Sequence, residues 1–429
     1  MQRQTDHVNA SSKAARMVIY PGFLLSCAMR FPTATVAAGV LAVIGTAQSA
    51  SPVRVHWRHL SSSNGDLPVP GTSVQQTGSI VGDFDRDGVS DFVLSFRQVA
   101  PALVGYRYRG GTWVRHVIEP DFLTVEAGGA AFDIDGDGDL DIVFGGDWQS
   151  RDVWWWENPG TAGEARWPRH RIKSTGETQH HDQVFGDFLG TGRPQLAFWN
   201  QNAKAIFLAT IPSPPTTELW PATKIFQGAA GEPGGLYPEG ADAIDVDGDG
   251  RVDLLAGNAW FKHEGGTTFR PIRIGPIGGR IAAGQLVAGG HPEIVIAPGD
   301  CTGPLRWYSC DGDPLGPQSW RGHELIRGDV VHGHSLALAD VDGDGHLDVF
   351  AAEMAKWKES ASVPDNPDAR AWIFYGDGRG GFVTTEFARG RGFHETRLAD
   401  LNGDGRVDVL QKPYTWSAPR IDIWLNERR

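Results

Sequence analysis

Closely spaced carboxylates recur along the chain in a pattern that suits a hard divalent cation. The motif is Asp-x-Asp-x-Asp-Gly-x-x-Asp, and its last copy has Asn in place of the second Asp. Oxygen ligands at positions one, three, five and nine, with glycine at position six for the sharp turn, reproduce the front of a calcium-binding loop. The predicted calcium ligands are Asp83, Asp85, Asp87 and Asp91; Asp133, Asp135, Asp137 and Asp141; Asp245, Asp247, Asp249 and Asp253; Asp340, Asp342, Asp344 and Asp348; and Asp400, Asn402, Asp404 and Asp408.

Two further copies of the motif have lost most of their oxygen ligands. One runs from Asp187 to Gln195 and the other from Gln285 to Glu293, and we expect no calcium at either. In the five complete copies, several carboxylates in one tight hairpin would repel one another without a cation. We therefore expect about five structural calcium ions, whose role is stability. The alternative is a solvated turn rich in Asp and Gly.

A second set of candidate ligands emerges when the seven copies are aligned on their first residue. Six residues before it, they carry Thr77, Ala127, His181, Glu239, Gly279, His334 and His394. Imidazole and carboxylate groups are ligands for Zn²⁺ or a similar divalent metal, so His181, Glu239, His334 and His394 form a candidate metal site. The other interpretation is that these polar side chains hydrogen-bond one another around a wet channel.

The elements around each motif predict how these residues are positioned. An apolar strand enters each loop and a β-branched strand leaves it, as in Asp141-Ile-Val-Phe144. A third strand with aromatic residues follows, and a fourth carries a Trp-x-x-His signature in several copies, such as Trp167 to His170. Four strands repeated roughly every 40 to 60 residues are typical of propeller blades. The fold class is therefore all-β, a seven-bladed β-propeller whose innermost strands bring the aligned histidines to the axis.

The ends of the chain predict how the propeller closes. The last repeat ends with a third strand near Ile421 to Asn426, while Trp57-Arg-His59-Leu60 reads as a fourth strand without a blade. We expect this N-terminal strand to complete the last blade, which removes an exposed sheet edge.

The N-terminal region reads as a leader. Residues 1–50 combine Met29-Arg30, a small apolar run from Val36 to Gly45, and an Ala-x-x-Ala end at Ala50 that resembles a signal-peptidase site. The expected domains are the leader, 1–50, and the propeller, 51–429, of a secreted or periplasmic protein. A lipoprotein box at Leu24 to Cys27 is a weaker alternative.

Charge and composition limit the kinds of partner that we expect. The formal net charge of −13 argues against a nucleic-acid groove. Beyond the leader, no apolar run is long enough to cross a bilayer, so no membrane association is expected after leader removal. Cys301 and Cys310 flank a short predicted strand and remain once Cys27 is removed with the leader. They form either a disulfide in an oxidising compartment or two thiols in a loop.

The repeated loops, with Phe84-Asp85 and the glycine-rich turns around them, resemble the FG-GAP/VCBS repeats of integrin α-subunit heads and many bacterial secreted proteins. The resemblance covers about residues 52–429. It implies the propeller and its calcium loops, but the same scaffold carries binding modules and enzymes alike.

The third copy, His180-His181-Asp182-Gln183 followed by Trp199-Asn200, resembles the propeller of the aldos-2-ulose dehydratase (anhydrofructose dehydratase) family. The cupin domains that accompany the fungal enzyme are absent from this sequence. The resemblance implies a metal-assisted elimination on a keto-sugar, in which the metal polarises a carbonyl. With a glycosyl oxygen as leaving group, the same site would be a glycoside lyase.

The remaining polar residues of the same rim supply candidate roles in that reaction. A neighbouring histidine or acid could remove the α-proton, and the candidates are His180, His332 and Glu353. The candidate carbohydrate-binding residues are Arg97, Asp147, Trp148, Trp199, Asn200 and Asn258. The alternative function is a non-catalytic, calcium-dependent propeller that binds glycan or protein through its rim loops. A hydrolase is a third option, without a convincing nucleophile motif such as Gly-x-Ser-x-Gly.

Overall fold

Runs of β-branched and aromatic residues between glycine-rich turns form short antiparallel strands throughout the chain. The computed structural model describes residues 55–160, 166–228, 238–316, 318–357 and 362–427. These residues belong to one compact unit, Ala37–Arg429. The predicted leader lies outside the described residues, so its assignment stays a prediction.

The strands in chain order are β1 (Trp57–Ser61), β2 (Gln75–Gly82), β3 (Asp91–Arg97), β4 (Leu103–Arg109), β5 (Thr112–Glu119), β6 (Ala130–Phe132), β7 (Asp141–Gly145), β8 (Val153–Trp156), β9 (Arg169–Lys173), β10 (His180–Gly186), β11 (Gln195–Asn200), β12 (Ala205–Thr210), β13 (Ala222–Gln227), β14 (Ala241–Ile244), β15 (Asp253–Ala256), β16 (Ala259–Gly265), β17 (Thr268–Arg273), β18 (Arg280–Gly284), β19 (Glu293–Ala297), β20 (Thr302–Gly303), β21 (Arg306–Cys310), β22 (Trp320–Glu324), β23 (Val330–Val331), β24 (Ser335–Ala339), β25 (Asp348–Ala352), β26 (Arg370–Gly376), β27 (Phe382–Arg389), β28 (Arg397–Ala399), β29 (Asp408–Gln411) and β30 (Asp422–Asn426). A short 3₁₀ helix, Ser62–Asn64, follows β1.

The described strands form seven four-stranded sheets, which we number as blades one to seven in chain order. The blades are β2 to β5, β6 to β9, β10 to β13, β14 to β17, β18-β19-β21-β22, β24 to β27, and β28-β29-β30-β1. Strands β20 and β23 pair separately at the start of a loop. The first strand of each blade contacts the first strand of the next, and β28 contacts β2. The predicted seven-bladed β-propeller is confirmed.

The N-terminal strand closes the ring as the sequence predicts. Strand β1 pairs antiparallel with β30, with Trp57 opposite Asn426 and Ser61 opposite Asp422. The outer edge of β30 is thereby covered by a strand from the other end of the chain, which also joins the first blade to the last.

The apolar core lies between adjacent blades. Between blades one and two, for example, Ile80 and Val93 pack with Phe144, Trp156 and Trp167. Large aromatic side chains of this kind each remove about 150–250 Å² from water. The inter-blade layers therefore hold the inner strands rigidly around the axis.

The alternative of a disulfide between Cys301 and Cys310 is wrong, because both are thiols in the structure. Cys301 immediately precedes β20, and Cys310 is the last residue of β21. Within the described part of the chain, no helix is long and apolar enough to cross a membrane.

Candidate functional site

Three of the aligned residues meet at the axis of the propeller. His181 lies in β10, Glu239 precedes β14 and His334 precedes β24, and each is at most 5% exposed. One ligand atom from each lies within 4.8 Å of the others. His334 Nε2 is 2.8 Å from Glu239 Oε2, and the ring centroids of His181 and His334 are 5.7 Å apart. The structure thus brings together three of the four residues that the aligned copies singled out.

The fourth aligned residue, His394, stands beside this group. Its ring stacks on that of His334 with centroids 4.4 Å apart. On the other side, His394 Nδ1 lies 3.0 Å from the Nζ of the buried Lys412. Because Lys412 also donates to the carbonyl oxygens of Gln76 and Thr77, His394 is fixed in orientation by blade seven and blade one together.

Local irregularities in the inner strands aim these side chains. The pairing of β10 with β11 shifts between His181 and Gln183, and Asp182 has a left-handed φ of 43°. Such a bulge re-aims the residues on either side of it. Gly299 leaves the space that the Glu239 carboxylate occupies, since a Cβ at this position would lie 1.7 Å from Glu239 Oε1. The adjacent Asp300 N–H donates to that oxygen over 2.7 Å.

Ion pairs behind the axial residues hold the candidate ligands in their orientation. The Asp182 carboxylate accepts a hydrogen bond from His181 Nδ1 over 2.6 Å, which leaves Nε2 as the lone-pair donor. Carboxylate–histidine pairs of this type are common behind metal-binding imidazoles. Arg280 contacts Asp182 at 2.7 Å and Glu395 at 3.2 Å, so the carboxylates of two distant blades share one guanidinium.

The axial side chains are of the types that bind divalent metals, and several of their buried polar atoms lack a hydrogen-bond partner. Within the described residues, Glu239 Oε2, His334 Nδ1 and Glu395 Oε1 are among the buried side-chain atoms without a hydrogen-bond partner of good geometry. Burial alone would lower the pKa of His334, but the negative charge of Glu239, 2.8 Å away, raises it to about 10. The site thus attracts positive charge, and a divalent metal would compete with the proton for the same ligands.

An aromatic and cationic rim lies next to the axial group. Tyr414 stacks on His394 with centroids 4.7 Å apart. The Arg97 guanidinium lies over the ring of Trp148 at 4.9 Å, and its Nη1 is 3.4 Å from the Tyr414 hydroxyl. Arg97 is also paired with Glu126 and lies 3.7 Å from Asp147. Trp148 is 42% exposed, so this part of the rim presents an accessible aromatic face.

His332 lies at the same rim and is the most accessible of the proposed bases. Its side chain is 21% exposed, and its φ is 51°, in the left-handed region. Nδ1 lies 2.9 Å from the carbonyl oxygen of Asp300, and Nε2 lies 3.3 Å from Asp365 Oδ2. A backbone conformation of this kind costs about 1–3 kcal/mol and is often retained at functional sites.

The structure places the two other proposed bases away from the axial group. His180 is fully buried, with Nε2 2.9 Å from Lys173 Nζ and 3.2 Å from Asn200 Nδ2. Burial, aided by Lys173, lowers the pKa of His180 to about 3. Glu353 accepts hydrogen bonds from the backbone and side chain of Arg370 and from the Val331 N–H. Both side chains are consumed by structural contacts.

Five of the six proposed carbohydrate-binding residues are likewise interior, since Arg97, Asp147, Trp199, Asn200 and Asn258 are each at most 4% exposed. Trp199 is 1% exposed and donates from Nε1 to the Gly240 carbonyl. Asn200 donates to the Glu177 carbonyl, and Asn258 donates to that of Gly275. These last three residues brace the inner ends of blades three and four, and the expectation that the five residues face a ligand does not agree with their burial. Sequence alignment gave their register but could not give the side-chain direction.

The acidic loops lie at the opposite ends of the inner strands. Groups of loop carboxylates in blades one, two and four come close enough to hold a metal ion, among them Asp133, Asp135 and Asp141. The ninth residue has a further role, because Asp141 accepts from the N–H groups of Ile134 and Asn158. Burial, with a smaller contribution from the loop carboxylates, raises the pKa of Asp141 to about 7.

Four residues of the site were missed from the sequence. They are Arg280, Arg397, Lys412 and Tyr414. Arg280 could have been found by comparing the copies one position later, since Asp182, Arg280 and Glu395 directly follow the aligned residues of their blades. Lys412 and Tyr414 lie where the outgoing strand of blade seven ends, and no repeated pattern marks them.

Comparisons with known proteins agree with the fold. Residues 133–198 match the model of the FG-GAP-like repeat family. No curated protein matches the sequence. The chain is therefore a seven-bladed β-propeller that carries an FG-GAP-like repeat.

Three solved structures illustrate what this chain is similar to. BBS1N in complex with ARL6DN is 10% identical, covers 88% of this chain and 98% of its own, and has a TM-score of 0.52. The rhamnogalacturonan lyase YesW is 15% identical over 87% of this chain and 76% of its own, with a TM-score of 0.46. The V. cholerae biofilm matrix protein Bap1 is 10% identical over 88% and 71%, with a TM-score of 0.39. At such identities the likeness concerns the fold alone.

Proposed function

We propose that this chain is a secreted carbohydrate-active lyase or dehydratase, which uses a divalent metal at the axial site for β-elimination on a keto-sugar or glycoside. The observation that carries the proposal is the meeting of His181, Glu239 and His334 at the axis, each from a different blade. The three are metal-ligand side chains in one buried group, and two of them, Glu239 and His334, keep a side-chain atom without a hydrogen-bond partner of good geometry, which a purely structural role would not need.

The chain's own residues would hold and tune the metal. His181 presents Nε2 because Asp182 holds its Nδ1–H, and Glu239 supplies the balancing charge. A bound divalent metal supplies Lewis acidity toward a carbonyl oxygen. Arg280 keeps Asp182 and Glu395 ionised without neutralising Glu239 directly.

The rim supplies the features that a sugar ring needs. Trp148 offers an exposed aromatic face that packs on the buried guanidinium of Arg97, and the Tyr414 hydroxyl, 3.4 Å from Arg97 Nη1, is a nearby hydrogen-bonding group. Aromatic faces stack on the apolar faces of sugars, while the neighbouring polar groups fix orientation.

His332 is the best-placed group for proton transfer. Its Nδ1–H is held by the Asp300 carbonyl, so Nε2 can accept the proton from the carbon next to the carbonyl. Asp365 stabilises the imidazolium that forms. The carbon–oxygen bond then breaks, and the imidazolium returns the proton to the departing oxygen as the carbon–carbon double bond forms. Water or a sugar alcohol leaves, and no oxidant is required.

The test is a screen of keto-sugars and uronic-acid polymers for unsaturated products that absorb in the ultraviolet. We expect turnover with wild type, a loss of about 100-fold or more in His332→Gln, and no loss in the exposed loop variant His346→Gln. Metal content should be the same in all three proteins. Unchanged turnover in His332→Gln would remove that residue from the mechanism, and no product from any substrate would contradict the lyase.

A second candidate is a propeller that binds a glycan or a protein without catalysis. It is favoured by the burial of the axial residues, since His334 and Glu239 are at most 2% exposed while Trp148 is accessible. Binding of unaltered oligosaccharide, lost in Trp148→Ala and independent of His332, would support it.

A further inference from the structure

The five acidic loops differ in the residue that faces them from the third strand of the blade. In blade four, β15 and β16 pair Leu254 with Phe261, and the continuation of this register sets Lys262 opposite Asp253. In blade one, Phe92 pairs with Tyr106, which sets Arg107 opposite Asp91. A cation therefore stands beside the ninth loop residue in both blades.

The other three loops have no cation at this position. The same continuation sets Glu157 opposite Asp141 in blade two, Tyr375 opposite Asp348 in blade six, and Leu425 opposite Asp408 in blade seven. In blade two the facing residue adds a negative charge to the loop. In blade seven a different residue, Arg406, pairs with Asp404 from within the loop.

Lys262 makes the contacts that a metal ion would make. Its Nζ lies 2.7 Å from Asp247 Oδ2, 2.7 Å from Asp249 Oδ2 and 3.8 Å from Asp253 Oδ1. These are the carboxylates at loop positions three, five and nine. The Lys262 side chain is only 15% exposed, so the ammonium is inserted into the loop and does not lie over it in solvent.

Calcium and this ammonium cannot share the loop. Calcium binds oxygen at about 2.3–2.6 Å, so an ion held by Asp247 and Asp249 would lie within about 3–4 Å of Nζ, where like charges repel strongly. The side chain would have to leave three carboxylates to admit the ion. In blade one the cations are two arginines at a single loop carboxylate, because Asp85 pairs with Arg109 and lies 3.8 Å from Arg107.

We propose that the loops of blades four and one do not bind calcium, because Lys262 in one and Arg107 with Arg109 in the other serve as built-in cations. The residue opposite loop position nine thus decides which copies of one motif take an ion. This proposal is independent of the axial site, and it corrects the expectation of about five calcium ions to a smaller number. Blades four and one keep their loops folded when calcium is removed.

The test is a pair of opposite charge exchanges, with calcium per chain measured by mass spectrometry after equilibrium dialysis. Lys262→Met keeps the length of the side chain and removes its charge, and we expect about one more calcium ion per chain than in wild type. Glu157→Lys places an ammonium in the blade-two loop, and we expect about one ion fewer. Lys262→Arg is the matched control and should leave the count unchanged.

Circular dichroism of each variant establishes that it is folded before the count is compared. The proposal is overturned if wild type binds five ions, or if folded Lys262→Met and folded Glu157→Lys both bind the same number as wild type. Since the Glu157 side chain is 33% exposed and its ion pair is with the partly exposed His170, its variant is expected to fold even if Lys262→Met does not.

Discussion

At the scale of single residues, the axial site depends on which ring nitrogen of each histidine is available. Asp182 settles this for His181, because its carboxylate accepts a hydrogen bond from Nδ1–H over 2.6 Å. Although burial disfavours the imidazolium, Asp182 raises the pKa of His181, so the pair is electrostatically coupled. The identity of the residue behind the ligand therefore matters as much as the ligand.

Asp182→Asn tests this dependence. The amide is a weaker acceptor and leaves Arg280 with less negative charge, so we expect the axial metal to bind about 10- to 100-fold more weakly. Titration of the metal-free protein with Zn²⁺ measures the effect. Asp242→Asn is the control, since Asp242 also lies on an inner strand and its carboxylate accepts hydrogen bonds from the Ala243 and Ala283 N–H groups. Equal affinity in Asp182→Asn and wild type would show that the pair has no role in metal binding.

At the scale of elements, the outer strand of several blades carries a histidine that stacks on the third strand. His170 lies 4.5 Å from Trp155, His323 lies 4.1 Å from Trp307, and His59 lies 4.0 Å from Trp424, as ring centroids. At His170 and His323 the Trp-x-x-His pattern thus marks a cross-strand pair that fixes the fourth strand to its blade, and His59 makes the same pair from Trp57-Arg58-His59.

Blade one replaces the aromatic partner by glycine. His116 pairs with Gly105, and a Cβ at Gly105 would lie 2.3 Å from the His116 ring. We expect Gly105→Ala to destabilise the protein by about 1–3 kcal/mol, measured by urea unfolding. The double variant Gly105→Ala/His116→Ala should recover most of the loss, while Gly71→Ala, which has open space, should change little. Full stability in the single variant would show that the ring moves aside freely.

Much of this organisation could be predicted from the sequence, because the signals repeat. The seven aligned loops predicted the number of blades, and the isolated N-terminal strand at Trp57 predicted how the ring closes. Side-chain direction at the strand ends could not be predicted, since the bulge at Asp182 separates the axial His181 from the interior His180. The cation that faces an acidic loop could not be predicted either, because Lys262 lies in the third strand of its blade and belongs to no sequence motif.

At the scale of the whole molecule, the axial site exists only because the ring closes. His181, Glu239, His334 and His394 come from blades three, four, six and seven, and residues far apart in sequence meet through the inner strands. Strand β1 completes the seventh blade, which holds His394, Lys412 and Tyr414. Stability of the ring is thus coupled to the geometry of the site, while the acidic loops at the other end stabilise individual hairpins.

The most direct test of this account is metal analysis of the purified protein by mass spectrometry, comparing wild type with His181→Ala/His334→Ala. We predict about one transition-metal ion per chain in wild type and none in the double variant, with the calcium content equal in both. The loop-face variant His346→Ala should retain the metal. Calcium alone in wild type, even after dialysis against Zn²⁺ or Mn²⁺, would contradict the axial metal site and leave the propeller as a binding module.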